Sequence, residues 1–185
     1  EWNIINAYVK NSKGEKIIDF QKSNLHILQY SIPIHKKMTL DELKTHLYSI
    51  EEYPDWIPYR TSYYQENWGF CISHKQFQTL DDDEYEVFID STLENGSLTY
   101  GELFFKGEIE DEILFSTYIC HPSMCNDNLS GTALLTFLAK TLIDKQTKYS
   151  YRFLFIPETI GAISWLSKNE NNVNKIKYGM VATCV

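Results

Sequence analysis

From Ile113 to Ile119 the chain carries an apolar and β-branched run, the pattern of a strand buried on both faces. A helical pattern follows from about Ser130 to Ile143, with Ala133, Leu134, Leu135, Phe137 and Leu138 as its apolar positions. A polar loop through Lys145 to Lys148 leads to a second strand, Tyr151 to Ile156, then to a helix ending near Ser167, and Tyr178 to Val185 reads as a further strand. Strands alternating with helices of this length predict βαβ units and a parallel or mixed sheet.

The earlier part of the chain has a different rhythm. Trp2 to Val9 alternates as a strand, and the turn cluster Asn11 to Gly14 hands over to Lys16 to Phe20, its expected hairpin partner. Leu25 to Ile34 continues in β style, with Pro33 closing it. Thr39 followed three residues later by Glu42 is a capping-box signature, and it predicts a short helix with Leu40, Leu43 and Leu47 on one face. A second short helix is expected over Ser73 to Leu80. Tyr85 to Ile89 reads as a strand, Glu94 to Ser97 as a hairpin turn and Leu98 to Phe105 as the returning strand. The expected organisation is a β-rich lobe over residues 1–106 and an α/β core over residues 107–185.

The 185 residues, 43% hydrophobic and 15% aromatic, suffice for one good core, or one core and a smaller lobe. A formal charge of −8 with no basic patch argues against a nucleic-acid backbone or an anionic membrane surface as partner. No apolar run approaches the roughly 18 residues of a membrane span. The four cysteines, Cys71, Cys120, Cys125 and Cys184, lack CxxC spacing and read as buried reduced thiols, which points to a reducing, cytoplasmic compartment. The chain starts at Glu1 and stops at Val185 within a strand-like segment, the look of a piece of something longer.

Two groups of residues invite chemistry. Tyr53, Trp56, Tyr59, Tyr63, Tyr64, Trp68 and Phe70 form a dense aromatic stretch around Arg60. Core filling explains most such aromatics, while a lone arginine among them reads equally as a carboxylate clamp or as a solvated or stacked surface group. The acidic run Asp81 to Glu84 lacks the alternating oxygens and central glycine of a calcium loop and reads as a solvated turn. The second group stands at strand exits: His121 after the first core strand, Asp127 six residues on and Glu158 after the second. In a parallel sheet these exits share one edge, where ligands bind. Histidine with two carboxylates suits zinc and the activation of water. As ordinary structure, Asp127 and Glu158 would each cap a helix.

Asn126-Asp127-Asn128-Leu129-Ser130-Gly131, ahead of an apolar helix, resembles the NDNxSG signature of the co-catalytic zinc aminopeptidases, the bacterial leucyl aminopeptidase group. Phe155 to Gly161 is similar to their strand ending in a Glu-Glu pair, and the resemblance covers roughly residues 108–185. It implies a phosphorylase/hydrolase-like α/β core, His121 and Asp127 as metal ligands with Asp127 bridging, and Glu158 as the general base. Two departures stand out: Ser123 replaces the aspartate expected two residues after the histidine, and Thr159 replaces the second glutamate. The remaining ligands of the family would fall at or beyond Val185. His121-Pro122 and Pro157-Glu158-Thr159 also resemble a narrower bacterial group. In that group an aminopeptidase-like domain is interrupted by a β-rich insert, often with a winged-helix region and often near surface-polysaccharide genes. An insert of that kind would form one wall of a cleft, making Arg60, Trp68 and His74 candidate substrate contacts.

The expectation is a hydrolase of aminopeptidase type acting on a peptide or small amide with one or two zinc ions. The competing expectation is a weakened or inactive aminopeptidase-like module that binds a glycan or a partner protein.

Overall fold

Antiparallel strands build the first half of the chain, whose apolar residues alternate: one tight hairpin and two pairings between strands distant in sequence. The computed structural model describes residues 1–62 and 65–185; Tyr63 and Tyr64, part of the predicted aromatic stretch, lie outside the described residues. The chain divides into two compact units, Glu1–Gly96 and Ser97–Val185.

In the first unit the strands are β1 (Trp2–Lys10), β2 (Lys16–Asp19) and β3 (Ile34–Thr39), followed by helix α1 (Leu40–Lys44) and the short strands β4 (Leu47–Tyr48) and β5 (Phe70–Cys71). Helix α2 (His74–Gln78) and the long strand β6 (Glu84–Leu93) complete it. The main sheet has the order β2-β1-β6-β3, with every pairing antiparallel. The expected hairpin β1–β2 forms, and Thr39 caps α1 with Glu42 in a reciprocal capping box. Ser73 caps α2 in the same local manner. The stretch from Leu25 does not run as the expected strand: residues Asn24–His26 make a 3-10 turn capped by Ser23, and the strand starts only at Ile34. One continuous core of Ala7, Val9, Ile18, Leu43, Phe70, Ile72, Val87 and Ile89 lies under the sheet.

The second unit contains β7 (Gly101–Phe105), β8 (Glu112–Tyr118), α3 (Asn126–Leu142), β9 (Ser150–Ile156), α4 (Ile160–Lys168) and β10 (Ile176–Val181). Its sheet has the order β10-β8-β9-β7, parallel among the first three strands and antiparallel at β7. The predicted return hairpin after Gly96 is therefore not made. Both edges of β6 are already taken by β1 and β3, so β7 pairs with β9 instead, Gly101 opposite Phe155 and Phe105 opposite Tyr151. Alternation along β9 sends Phe153 to the face covered by Leu135 and Ala139 of α3, and Leu154 and Ile156 to the face covered by Trp165 of α4. The sheet thus has a helix on each face, which turns the carboxyl ends of its parallel strands into an edge lined by loops.

Arg152, on the α4 side of β9, meets Glu112 through two hydrogen bonds of 2.7 and 3.0 Å. It also pairs with Glu102, whose other oxygen accepts the Trp165 indole N–H at 3.1 Å. Glu112 is only 3% exposed, so this bidentate pair is what allows its charge inside.

Candidate active-site edge

The loop after β8 and the start of α3 are joined by a buried amide. Asn128, 0% exposed, donates from Nδ2 to Thr117 Oγ1 at 2.7 Å, to the Tyr118 carbonyl at 3.2 Å and to the Ala182 carbonyl at 3.4 Å. Its Oδ1 accepts the Cys184 N–H at 3.2 Å, and Thr117 Oγ1 donates to the Ala182 carbonyl at 3.0 Å. One side chain thereby ties the ends of β8 and β10 to the entry of α3. Gly131 is required in the same place: a Cβ there would collide with the Ala182 carbonyl and lie 2.8 Å from Thr117 Oγ1. The second asparagine and the glycine of the sequence motif are explained by this knot. In the sequence alone they read as flanks of Asp127.

Asp127 stands out from the knot. It does not cap α3, which has no side-chain cap, and it is held in an extended conformation within the helix entry; the Asp127–Asn128 peptide bond is cis. Its Oδ1 accepts a hydrogen bond from the Tyr118 hydroxyl, which also lies 2.8 Å from Thr183 Oγ1. Donating to that carboxylate pushes the Tyr118 phenol up to about 12. Tyr118 and Thr183 carried no signal in the sequence, because neither belongs to the motif.

Glu158 leaves the end of β9 exposed, and it does not cap α4 either, since that helix also lacks a side-chain cap. The following residue, Thr159, adopts φ 56° and ψ −72°, and the Ile160 N–H reaches back to the Glu158 carbonyl at 2.6 Å. This is a γ-turn with a β-branched residue at positive φ, a geometry that costs about 1–3 kcal/mol and that proteins keep mostly at functional positions. The exits of β8 and β9 are linked where the Glu158 N–H donates to Cys120 Sγ at 3.3 Å. His121, next in the chain, has Nδ1 at 2.7 Å from the Pro122 carbonyl, which can only accept, so Nδ1 carries the proton of that hydrogen bond.

His121, Asp127 and Glu158 are therefore brought to the same sheet edge, around the exit of β8. They do not converge into a cage. Among the described residues no three histidine, cysteine, aspartate or glutamate side chains gather closely enough to hold a metal ion. Zinc takes three or four protein ligands, so the donors of this chain do not by themselves fit it.

The other expectations sort differently. Arg60 is exposed and stacks over the Tyr48 ring at 5.0 Å, lining a cavity of about 500 Å³ in the first unit. Trp68 packs against the core and stacks on His46 at 3.7 Å. Both ring nitrogens of His74 are engaged beside α2, Nδ1 with Ser49 Oγ at 3.0 Å and Nε2 with the Gln78 amide at 3.1 Å. The cysteines correct the expectation of buried thiols: Cys71 is buried, whereas Cys120, Cys125 and Cys184 are exposed in loops at the ends of β8 and β10. The acidic turn forms as expected, with Asp83 accepting the backbone N–H groups of Ser12 and Glu84 at 3.0 and 2.8 Å. Among the described residues no helix is long and apolar enough to cross a membrane.

Parallel strands flanked by helices, with polar groups at their carboxyl ends, form an aminopeptidase-like fold: the structure matches a zinc aminopeptidase from Bacillus subtilis with a TM-score of 0.58 at 11% identity, over 97% of this chain and 57% of that one. The chain belongs to the DUF4910 family, described as a domain of unknown function, whose model matches residues 4–185. It is 65% identical over its whole length to a Clostridium acetobutylicum protein provisionally named a polysaccharide biosynthesis protein with aminopeptidase-like domain. A crystal structure from that organism, provisionally named a peptidase, matches with a TM-score of 0.95 at 65% identity over all of this chain. The chain spans 43% of the length of the first and 44% of the second.

Proposed function

We propose that the full protein is a metal-dependent hydrolase of aminopeptidase type acting on a peptide or small amide. Asp127 and His121 would be donors to zinc, and Glu158 the carboxylate that takes a proton from the attacking water. The observation that supports this most is that both carboxylates stand at helix entries without capping them. A structural role would have spent them on backbone N–H groups. Two donors are fewer than a catalytic zinc site needs. What the chain itself supplies is orientation: Tyr118 holds the Asp127 carboxylate from one side, and the strained turn at Thr159 presents Glu158 at the edge.

The measurement is the zinc content of purified full-length protein beside its Asp127→Ala variant, together with hydrolysis of a panel of aminoacyl amides. Stoichiometric zinc that falls at least tenfold in the variant is expected. Equal metal content in both proteins would sink the assignment of Asp127.

A second reading rests on Thr159, in the position where a ligand carboxylate is expected, and on the provisional link of the Clostridium relative to polysaccharide biosynthesis. In it the fold serves as a binding or assembly module for a glycan or partner protein. Ligand binding that survives chelation, with no hydrolysis across the panel, selects this alternative.

A further inference from the structure

The sequence has two arginines, and the structure uses them in opposite ways. Arg152 is saturated by Glu112 and Glu102. Arg60 has no carboxylate partner among the described residues, and its guanidinium instead lies 5.0 Å above the centre of the Tyr48 ring, on the wall of the roughly 500 Å³ cavity. A cation held on an aromatic face keeps its five N–H donors free to turn toward a ligand. The cavity has a volume typical of small-ligand sites.

Among the described residues no acidic side chain lines this cavity, although acidic residues outnumber basic ones 25 to 17 in the chain. Its other polar groups are neutral. Asn67 spends one Nδ2 hydrogen on the Tyr48 hydroxyl at 3.3 Å, which leaves a second amide hydrogen and the phenolic O–H as donors. Ser62 is tethered to the Gln29 carbonyl at 3.2 Å, Gln65 adds a side-chain amide, and Leu28 and the Tyr48 ring supply an apolar wall. One cation, no anion and a rim of hydroxyl and amide groups match a ligand with one carboxylate and several hydroxyls.

We infer that this cavity is a binding site for an acidic sugar, with Arg60 gripping the carboxylate and Asn67, Gln65 and the Tyr48 hydroxyl reading the ring hydroxyls. The site lies wholly in the first unit, uses none of His121, Asp127 or Glu158, and stands or falls separately from the hydrolase reading.

The test is titration calorimetry and saturation-transfer NMR on full-length protein, in chelator, with D-glucuronate, D-glucose and N-acetylalanine as probes. Glucuronate should bind at least tenfold more tightly than glucose, and Arg60→Gln should weaken glucuronate at least tenfold while leaving the unfolding temperature unchanged. Glucose binding as tightly as glucuronate, or Arg60→Gln leaving glucuronate binding intact, overturns the carboxylate grip. N-acetylalanine binding as tightly as glucuronate overturns the sugar assignment in favour of a peptide carboxylate. Because chelator is present throughout, neither failure bears on zinc.

Discussion

The two units of this chain solve the same problem with different forces. The first closes one antiparallel sheet over one apolar core, and its short helices start with side-chain caps supplied by Thr39 and Ser73. The second divides its apolar contacts into two smaller clusters, one on each face of a parallel sheet, and neither helix has a side-chain cap. Buried polar links take over: Asn128 between strand ends and helix, Arg152 between Glu112 and Glu102. It also leaves Phe137 on α3, Ile163 on α4 and Tyr178 on β10 more than 60% exposed. Antiparallel strands can be joined by a tight turn, as β1 and β2 are, whereas parallel strands need long crossovers whose ends must be tied by something other than a turn. The ties here are polar and directional, and they sit beside the candidate active-site edge.

Three perturbations would break or sharpen this contrast. The largest effect is expected from Arg152→Met, which leaves Glu112 charged and buried without a partner. Such single removals cost about 3–5 kcal/mol, while Arg152→Met combined with Glu112→Leu should recover most of the loss. Urea unfolding of the second unit would measure it, and a loss below about 1 kcal/mol would mean that the pair is not structural. Asn128→Ala should cost about 2–3 kcal/mol, since the Cys184 N–H and the Tyr118 carbonyl each lose a partner. Faster hydrogen exchange at the ends of β8 and β10, with the first unit unaffected, is the accompanying observation.

The smallest effect belongs to the apolar unit. Burial pushes the Cys71 thiol up to about 12, so the folded state keeps a proton that an unfolded thiol releases near 8.5–9. Its contribution is fully present below that range and is lost as the pH climbs toward 12. Alkylation followed by mass spectrometry at pH 8 should label Cys120, Cys125 and Cys184 quickly and Cys71 only slowly, and Cys71→Val should remove part of the alkaline destabilisation. Four equal labelling rates would contradict the sealed core.

Local signals were enough for much of this. The hairpin β1–β2, the capping box at Thr39, the strand–helix alternation after residue 112 and the placement of His121, Asp127 and Glu158 at strand exits all depend on near neighbours in sequence. The stretch from Leu25 departs from its β pattern because Ser23 caps a local 3-10 turn, which an apolar count does not detect. The destination of β7 is not legible in the sequence, because pairing depends on which strand edge is vacant and β6 has none.

By itself, then, the sequence determined the alternation of elements, the two carboxylates and the histidine at one sheet edge, and the resemblance to the zinc aminopeptidases. Only the tertiary structure decided that Asn128 and Gly131 build the knot behind Asp127, that Tyr118 is the partner of its carboxylate, and that Arg60 lines a cavity with no acidic side chain among its described lining residues. The reason is physical. Periodicity and caps are set by residues within a turn or two of each other, while a hydrogen-bond knot between residues 54 apart, such as Asn128 and Ala182, exists only once the sheet has brought them together.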